Sequence, residues 1–291
     1  SGAAKAPRPY KIACLPVTLI IRVIKSSSTG DCWNGLAEDH ETNELSRVEA
    51  TDMSELRDLV LDAHGGIARW RKLKTIEGDL SITGALWARK GWSDVLRDVH
   101  VTADVWGQMV SYQSFTDPGM RSVYRPDYAA VETSDGKLIK DRRNPRAAFD
   151  GHTVETKWDD LDLAYFSGYA IWNYLNSPFL FPLPGVETEE IEPWDEYGEQ
   201  RRRLKVTFPD SIATHCSEQV FHIGSDGLIS RLDYSATVTG GVPIAHYSSD
   251  YRDFDGIKIA TRRRAYRRNP DGTALTNFIA VAIDIADIRL A

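Results

Sequence analysis

Residues 158–185 read WDDLDLAYFSGYAIWNYLNSPFLFPLPG and stand apart from the rest of the chain, which is dominated by short alternating segments. Eight aromatic side chains fall within this stretch, and three prolines follow the aromatic run or interrupt it. Asp159 or Asp160 is a suitable N-cap, and an apolar stripe runs from there to about Leu175, before Pro178. The stretch predicts one helix, which is either an ordinary core helix or the cover of a pocket for an apolar molecule.

Strand-like segments flank this helix on both sides. Upstream, TIEGDLSITGALW, VLRDVHVTADVW, QMVSYQSF, MRSVYRP and a hairpin turning at Asp135-Gly136 show a period of two. Downstream, six segments from RRRLKVTFP to NFIAVAIDIADIRL are separated by turns such as Asp255-Gly256. The order predicts an α+β fold with about ten antiparallel strands. We expect a large curved sheet, an open or half barrel, with a leading helix and the aromatic helix covering its concave face.

The beginning of the chain differs from the remainder. Residues 12–21, IACLPVTLII, have the length of a signal-peptide core but lack a clean cleavage site, and the following residues are polar and aperiodic. We expect residues 1–52 to be a leader, a linker or a foreign extension with little order, and residues 53–291 to form a single domain. The predicted location is cytoplasmic, with a periplasmic or secreted location as the alternative if residues 1–25 act as a signal.

Composition argues against several kinds of partner. The formal net charge of −7 disfavours nucleic acid, and the sequence lacks 18 consecutive apolar residues that could span a membrane. Three cysteines without a CxxC pair indicate neither a disulfide framework nor a zinc site. No P-loop, GxGxxG, HExxH or GxSxG motif occurs, so we predict no cofactor and no metal site.

The aromatic helix supplies the candidate ligand-binding residues. Tyrosine and tryptophan need polar partners when they are buried, so a purely structural helix would more economically use leucine and phenylalanine. This choice favours a pocket, although a role as simple core filling stays open. The predicted ligand-binding residues are Tyr165, Phe166, Tyr169, Trp172, Tyr174, Phe179 and Phe181, with the proline-rich segment after the helix as the pocket rim.

Trp172 carries a specific expectation. It shares a helix face with Tyr169, three residues earlier. Gly168 costs roughly 1 kcal/mol relative to alanine in a helix, which indicates close approach by a strand or a ligand. We therefore expect the substitution Trp172→Ala to weaken ligand binding more than it weakens folding.

The same cavity could alternatively house a cofactor-independent enzyme, such as a hydrolase, lyase or isomerase acting on an apolar substrate. Its candidate acid–base groups are Asp150, His152, Tyr169, Asp233, Tyr234 and His246. For catalysis, two or more of these groups should converge within hydrogen-bonding distance in the pocket, with their polar atoms otherwise unpaired.

Two segments carry a resemblance to a known fold family. The phrase DYRDFDGIKIATRRRAY at residues 250–266 and the opening HGGIARWRKLKTIEGD resemble LolA/LolB-like half-barrel proteins over roughly residues 54–291. The sequence departs from the family pattern at Ala260, where a proline is common. The resemblance implies an unclosed barrel with a helix in its mouth. It also implies a binding protein for an apolar or amphipathic small molecule, such as an acyl chain, a quinone or a terpenoid.

Overall fold

The computed structural model describes residues 55–291. The predicted extension over residues 1–52, and the location that depends on residues 1–25, lie outside the described residues and stay predictions. The helices are α1 (residues 55–63), α2 (Ile67–Trp70), α3 (Ala85–Lys90) and α4 (Asp160–Asn176). No helix in residues 55–291 is long and apolar enough to cross a membrane.

Thirteen strands form the sheet. They are β1 (Thr75–Thr83), β2 (Leu96–Asp104), β3 (Met109–Gln113), β4 (Met120–Arg125), β5 (Tyr128–Thr133), β6 (Leu138–Arg143), β7 (Glu187–Glu196), β8 (Glu199–Thr207), β9 (Glu218–Ile223), β10 (Ile229–Ala236), β11 (Val242–Phe254), β12 (Ile257–Arg267) and β13 (Val281–Leu290). Two short 3-10 turns, Pro145–Phe149 and Thr237–Thr239, lie between them.

All neighbouring strands pair antiparallel in one sheet, in the order β6-β5-β4-β3-β2-β1-β13-β12-β11-β10-β9-β8-β7. Apart from the β1–β13 pair, neighbours in the sheet are also neighbours in the chain, as expected for consecutive hairpins. The two edge strands, β6 and β7, directly flank α4 in sequence. This arrangement confirms the predicted α+β fold with an unclosed antiparallel sheet and a central aromatic helix.

The contacts of α4 require the sheet to be strongly curved. The helix contacts β4 through Gly168 and Tyr124, and it contacts β10 through the hydroxyls of Tyr174 and Tyr234. Seven inter-strand steps separate β4 from β10, which is about 34 Å in a flat sheet at about 4.8 Å per step. A helix with its side chains is only about 10–12 Å wide. The sheet must therefore wrap around α4, which lies in its concave face.

Two elements differ from the sequence prediction. Residues 85–90 continue the segment that we expected to be extended, but they form α3, after Gly84 with a φ of 117°. Strand β7 was not predicted, because its sequence ETEEIEPWDE is acidic and contains Pro193. Proline and charge are tolerated at a sheet edge, which is where β7 lies.

Candidate ligand-binding groove

The N-terminus of α4 is fixed by its own carboxylates and by an edge strand. Asp159 accepts a hydrogen bond from the backbone N–H of Asp162 at 2.8 Å, and Asp162 accepts one from that of Asp159 at 3.2 Å, forming a capping box. Arg142 of β6 donates to both carboxylates, at 2.5 Å and 2.7 Å. These acidic residues therefore have a structural role, since they cap the helix and join it to the edge of the sheet.

One side of α4 packs directly against the N-terminal strands. A Cβ atom placed on Gly168 would lie 2.4 Å from the Tyr124 side chain of β4, so only glycine fits in the observed arrangement. One turn later, Trp172 donates its indole N–H to the carbonyl of Asp104 at 2.8 Å and is only 2 % exposed. We call this face of the helix, with Gly168 and Trp172, the sealed side.

The opposite side of α4 faces β10 to β13. With 3.6 residues per turn, Phe166 and Tyr174 point away from Gly168 and Trp172. Here the helix leaves a cavity of about 360 Å³ at one end of the sheet. Its buried floor is formed by Phe166, Tyr234, Ala236, Ile244 and Ala265, and its exposed rim by Arg89, Arg267, Leu275, Asn277 and Phe278. We call this cavity the groove and this face of the helix the open side.

Strand register explains the composition of the floor. Ala265 lies directly opposite His246, and Arg267 lies opposite Ile244, in the antiparallel pair of β11 and β12. Side chains directly opposite each other point to the same face, and alternate residues along a strand do so as well. The inward row of β12 therefore runs from buried Ala265 to exposed Arg267, which leads from the floor of the groove to its mouth.

Two segments outside the sheet complete the groove. Lys90 of α3 is buried and donates to the carbonyls of Thr153 at 2.9 Å and Thr156 at 3.0 Å. These bonds hold Val154 against the groove, which it lines. Burial lowers the pKa of Lys90 to about 8.

The connection from β12 to β13 forms the other part of the rim. The backbone N–H of Leu275 donates to the carbonyl of Arg267 at 2.9 Å. The carbonyl of Gly272 accepts a hydrogen bond from Arg231 at 2.6 Å. Beyond these anchors, Leu275 and Phe278 are 40 % and 45 % exposed, so an apolar surface flanks the mouth of the groove.

A chain of buried polar groups lies behind the floor. The two ring nitrogens of His215 contact the hydroxyl of Tyr169 at 3.0 Å and that of Tyr174 at 2.7 Å. The Tyr174 hydroxyl also lies 3.1 Å from that of Tyr234, whose ring stacks on His215 with centroids 4.1 Å apart. Burial lowers the pKa of His215 to about 3, and Arg146 acts in the same direction. The neutral ring therefore donates to one tyrosine and accepts from the other.

His246 is the second buried imidazole of this region. Its ring packs edge-on against Tyr174 with centroids 4.5 Å apart, and neither ring nitrogen has a hydrogen-bonding partner among the described residues. Burial lowers its pKa well below the usual value, and Arg263 and His215 add to the shift. His246 is therefore neutral at physiological pH.

A separate ionic network occupies the outer face of β10. Arg231 donates to both oxygens of Asp233, at 2.7 Å and 2.9 Å, and to Glu196 at 2.6 Å. His222 lies 3.2 Å from the same aspartate. Although burial acts in the opposite direction, the hydrogen bonds from His222 and Arg231 hold the pKa of Asp233 below its usual value. Because adjacent residues of a strand point to opposite faces, Asp233 and Tyr234 belong to different sites.

The predicted ligand-binding residues occupy two kinds of position. Phe166 lines the groove, whereas Tyr165, Tyr169, Trp172, Tyr174, Phe179 and Phe181 are buried and are not among its lining residues. Phe179 stacks on Trp70 with centroids 4.2 Å apart, and Phe181 packs against Phe221 of β9. The first part of the proline-rich segment, residues 178–181, is thus buried in the packed interior, whereas Pro184 and Gly185 are exposed, and the segment is not among the residues that line the groove.

The predicted acid–base residues fall into several places. Tyr169 and Tyr234 both belong to the chain of hydroxyls around His215, and His246 lies beside it. Asp150 is exposed, His152 packs against Phe149, and Asp233 lies on the outer face. Only part of the predicted set converges, and the tyrosine hydroxyls that do so already have partners.

Sequence reasoning missed several residues of the groove. Ala85, Leu86 and Arg89 belong to α3, which was taken for a strand. Arg267, Leu275 and Phe278 surround a loop that carries no recognisable motif. The local spacing TRRRAYRR did place arginines on both faces of β12, but only the strand register shows that Arg267 points into the groove.

Comparison with known proteins gives structural likeness alone. A DUF1329 family protein from Desulfovibrio piger matches with a TM-score of 0.48 and 15 % identity, over 82 % of this chain and 92 % of that one. A putative outer membrane lipoprotein-sorting protein domain from Vibrio parahaemolyticus matches at 0.44 and 12 %, over 77 % and 90 %. A LolA superfamily protein from Nitrosomonas europaea matches at 0.44 and 11 %, over 80 % and 92 %.

One of these matched proteins belongs to the LolA superfamily, which the two sequence segments also resemble. No family model matches the chain. No curated protein matches it either. At these scores and identities, the structural matches carry no argument about ligand or activity, which must come from the groove itself.

Proposed function

We propose that this protein binds an apolar or amphipathic small molecule in the groove on the open side of α4. The observation that carries this proposal is the change from a buried, largely apolar floor to an exposed rim within one cavity of about 360 Å³. That volume lies in the range typical of small-molecule sites, roughly 300–1,000 Å³. Removing an alkyl or ring system from water on such a floor supplies the binding free energy, at roughly 25 cal/mol per Å² of apolar area.

A catalytic role in the same cavity has less support. Tyr234 is the only predicted acid–base residue that lines the groove, and its hydroxyl is already bonded to Tyr174. His246 has free ring nitrogens but does not line the groove. The arrangement provides an apolar surface rather than an exposed pair of acid–base groups, so binding is the better interpretation.

The proposal is tested by filling the groove. Val242 is half-buried and lines it, so Val242→Trp places an indole in the space that a ligand would occupy. We expect the affinity for Nile red, and for decanol in competition with it, to fall by at least about tenfold, which corresponds to about 1.4 kcal/mol. The control Ile139→Trp changes an exposed residue of edge strand β6 and should leave the affinity unchanged.

Both variants should keep the wild-type melting temperature within a few degrees, which separates a blocked groove from a damaged fold. Wild-type protein that binds neither probe would refute the proposed function. Equal affinity in the wild type and Val242→Trp would show that the probes bind elsewhere.

A further inference from the structure

We propose that the natural occupant of the groove is an anionic amphiphile, with its alkyl part on the floor and its carboxylate or phosphate head at Arg267. This inference rests on the proposed function and specifies the chemical class of the ligand. It follows from the position of Arg267, from the charges around the rim and from the hydrogen bonding of the floor.

Arg267 is placed where a head group would leave the groove. It is the last residue of β12, it is exposed, and it lines the cavity. Its direct neighbour across the strand pair is Ile244, which belongs to the floor. A ligand whose apolar part covers Ile244 and Ala265 therefore has its outer end beside the guanidinium.

The guanidinium of Arg267 is also available. Within residues 55–291, it forms no hydrogen bond or ion pair, unlike the other arginines of the same strand. Their contacts are Arg262 with Asp250 at 3.8 Å, Arg263 with Ser248 and the carbonyl of Tyr174 at 2.9 Å each, and Arg264 with Asp284 at 2.7 Å. An arginine with five N–H donors and no acceptor is suited to a carboxylate or phosphate.

The remaining polar groups of the rim set the sign of its charge. Arg89 lines the groove from α3, but its guanidinium is paired with Glu155 at 2.6 Å. Asn277 is neutral. The rim of the groove therefore carries one uncompensated positive charge, at Arg267, which favours an anionic head and disfavours a cationic one.

The floor favours an orientation with the head group outward. Its polar atoms are scarce, and the Tyr234 hydroxyl is already engaged with Tyr174 at 3.1 Å. A charged head on this floor would lose its hydration without gaining partners, which is costly. At the rim, the same head stays in contact with water and with Arg267.

A matched set of probes tests the inference. Decanoate, decyl phosphate, decanol and decyltrimethylammonium share one alkyl chain, and their dissociation constants can be measured by calorimetry at pH 7 and low salt. We expect the two anions to bind roughly three- to tenfold tighter than decanol, as for a partly exposed charge pair, and the cation to bind more weakly than decanol. The ratio between decanoate and decyl phosphate shows which anionic head fits better.

Two variants identify the residue responsible. Arg267→Gln should remove the preference for the anions over decanol. The control Arg262→Gln removes an exposed arginine on the other face of the same strand and should preserve the preference. High salt should reduce the preference in the wild type but not in Arg267→Gln.

The outcomes separate the two proposals. If none of the probes binds, the proposed function fails. If decanol and the cation bind as tightly as the anions, or if Arg267→Gln keeps the full preference, the groove binds apolar molecules but the anionic class is wrong.

Discussion

The two sides of α4 pack differently against the strands that face them. On the sealed side, Gly168 lets the helix approach β4 so closely that no additional atom fits beside Tyr124. On the open side, Phe166 and Tyr174 face strands β10 to β13 across a chain of buried hydroxyls and a cavity. Both sides are rich in aromatic residues. The aromatic composition of a helix therefore does not show which side holds a ligand, whereas the distance to the facing strands does.

The largest effect should come from the sealed side. Trp172→Ala removes a buried indole together with its hydrogen bond to the carbonyl of Asp104, so we expect the free energy of unfolding to fall by about 3–5 kcal/mol. The control Trp106→Ala, at a residue that is 46 % exposed, should cost much less. Chemical denaturation measures both changes.

Ligand affinity per folded molecule should stay unchanged in Trp172→Ala, because Trp172 is not among the residues that line the groove. From the sequence alone, we expected the opposite balance, with binding affected more than folding. A large loss of affinity with only a small loss of stability would support that expectation. It would contradict the assignment of ligand binding to the open side alone.

The second effect is a loss of stability at acidic pH, and most of the histidines responsible lie on the open side. His215, with a pKa lowered to about 3 by burial, and His246, with a pKa well below 6.5, stay neutral in the folded protein. His64, with a pKa of about 4, behaves in the same way. In the unfolded chain, these residues bind protons near pH 6.5, so the unfolded state gains protons as the pH falls.

The stability that these neutral histidines contribute is therefore fully present above about pH 6.5. It is lost as the pH falls from there towards their pKa values in the folded state. Each such histidine should contribute up to about 1.4 kcal/mol per pH unit over this window. His246→Phe should make this pH dependence shallower by one proton. A slope that His246→Phe leaves unaltered would mean that His246 is not buried as a neutral ring.

The smallest of these effects should come from Gly168→Ala. In an exposed helix, alanine would stabilise by roughly 1 kcal/mol, but here its Cβ would lie 2.4 Å from Tyr124. We expect a net destabilisation of about 1–2 kcal/mol from overpacking. Introducing Gly168→Ala into Tyr124→Gly should instead be neutral or stabilising, because both the Cβ and the ring that the new methyl group would meet are gone. A destabilisation of equal size in both backgrounds would show that the close approach is not its cause.

Much of the fold could be predicted because its signals are local. Alternation identified most strands, and Asp159 with Pro178 bounded α4 closely, since capping and chain termination depend on neighbouring residues. The segment that became α3 was misread because ALWARK follows a strand without a polar break. Strand β7 was missed because Pro193 and its many carboxylates argue against a strand. They are tolerated at a sheet edge, but the position of a strand in the sheet cannot be read from the local sequence.

The groove depends on register and was harder to predict. Tyr169 and Tyr174 were expected to need polar partners if buried, but the partner that they share, His215, comes from a loop 41 residues beyond Tyr174. Arg267 looks like any other arginine in TRRRAYRR. Only its pairing opposite Ile244 places it at the mouth of the groove.

The most direct test of the account is the position of a bound amphiphile. A crystal structure of the protein with decanoate carrying bromine on its terminal carbon locates the end of the alkyl chain by anomalous scattering. We expect bromine over the floor, next to Phe166, Tyr234 and Ala265, with the carboxylate at Arg267. Bromine between α4 and β4, beside Trp172, or on the outer face near Asp233, would contradict it.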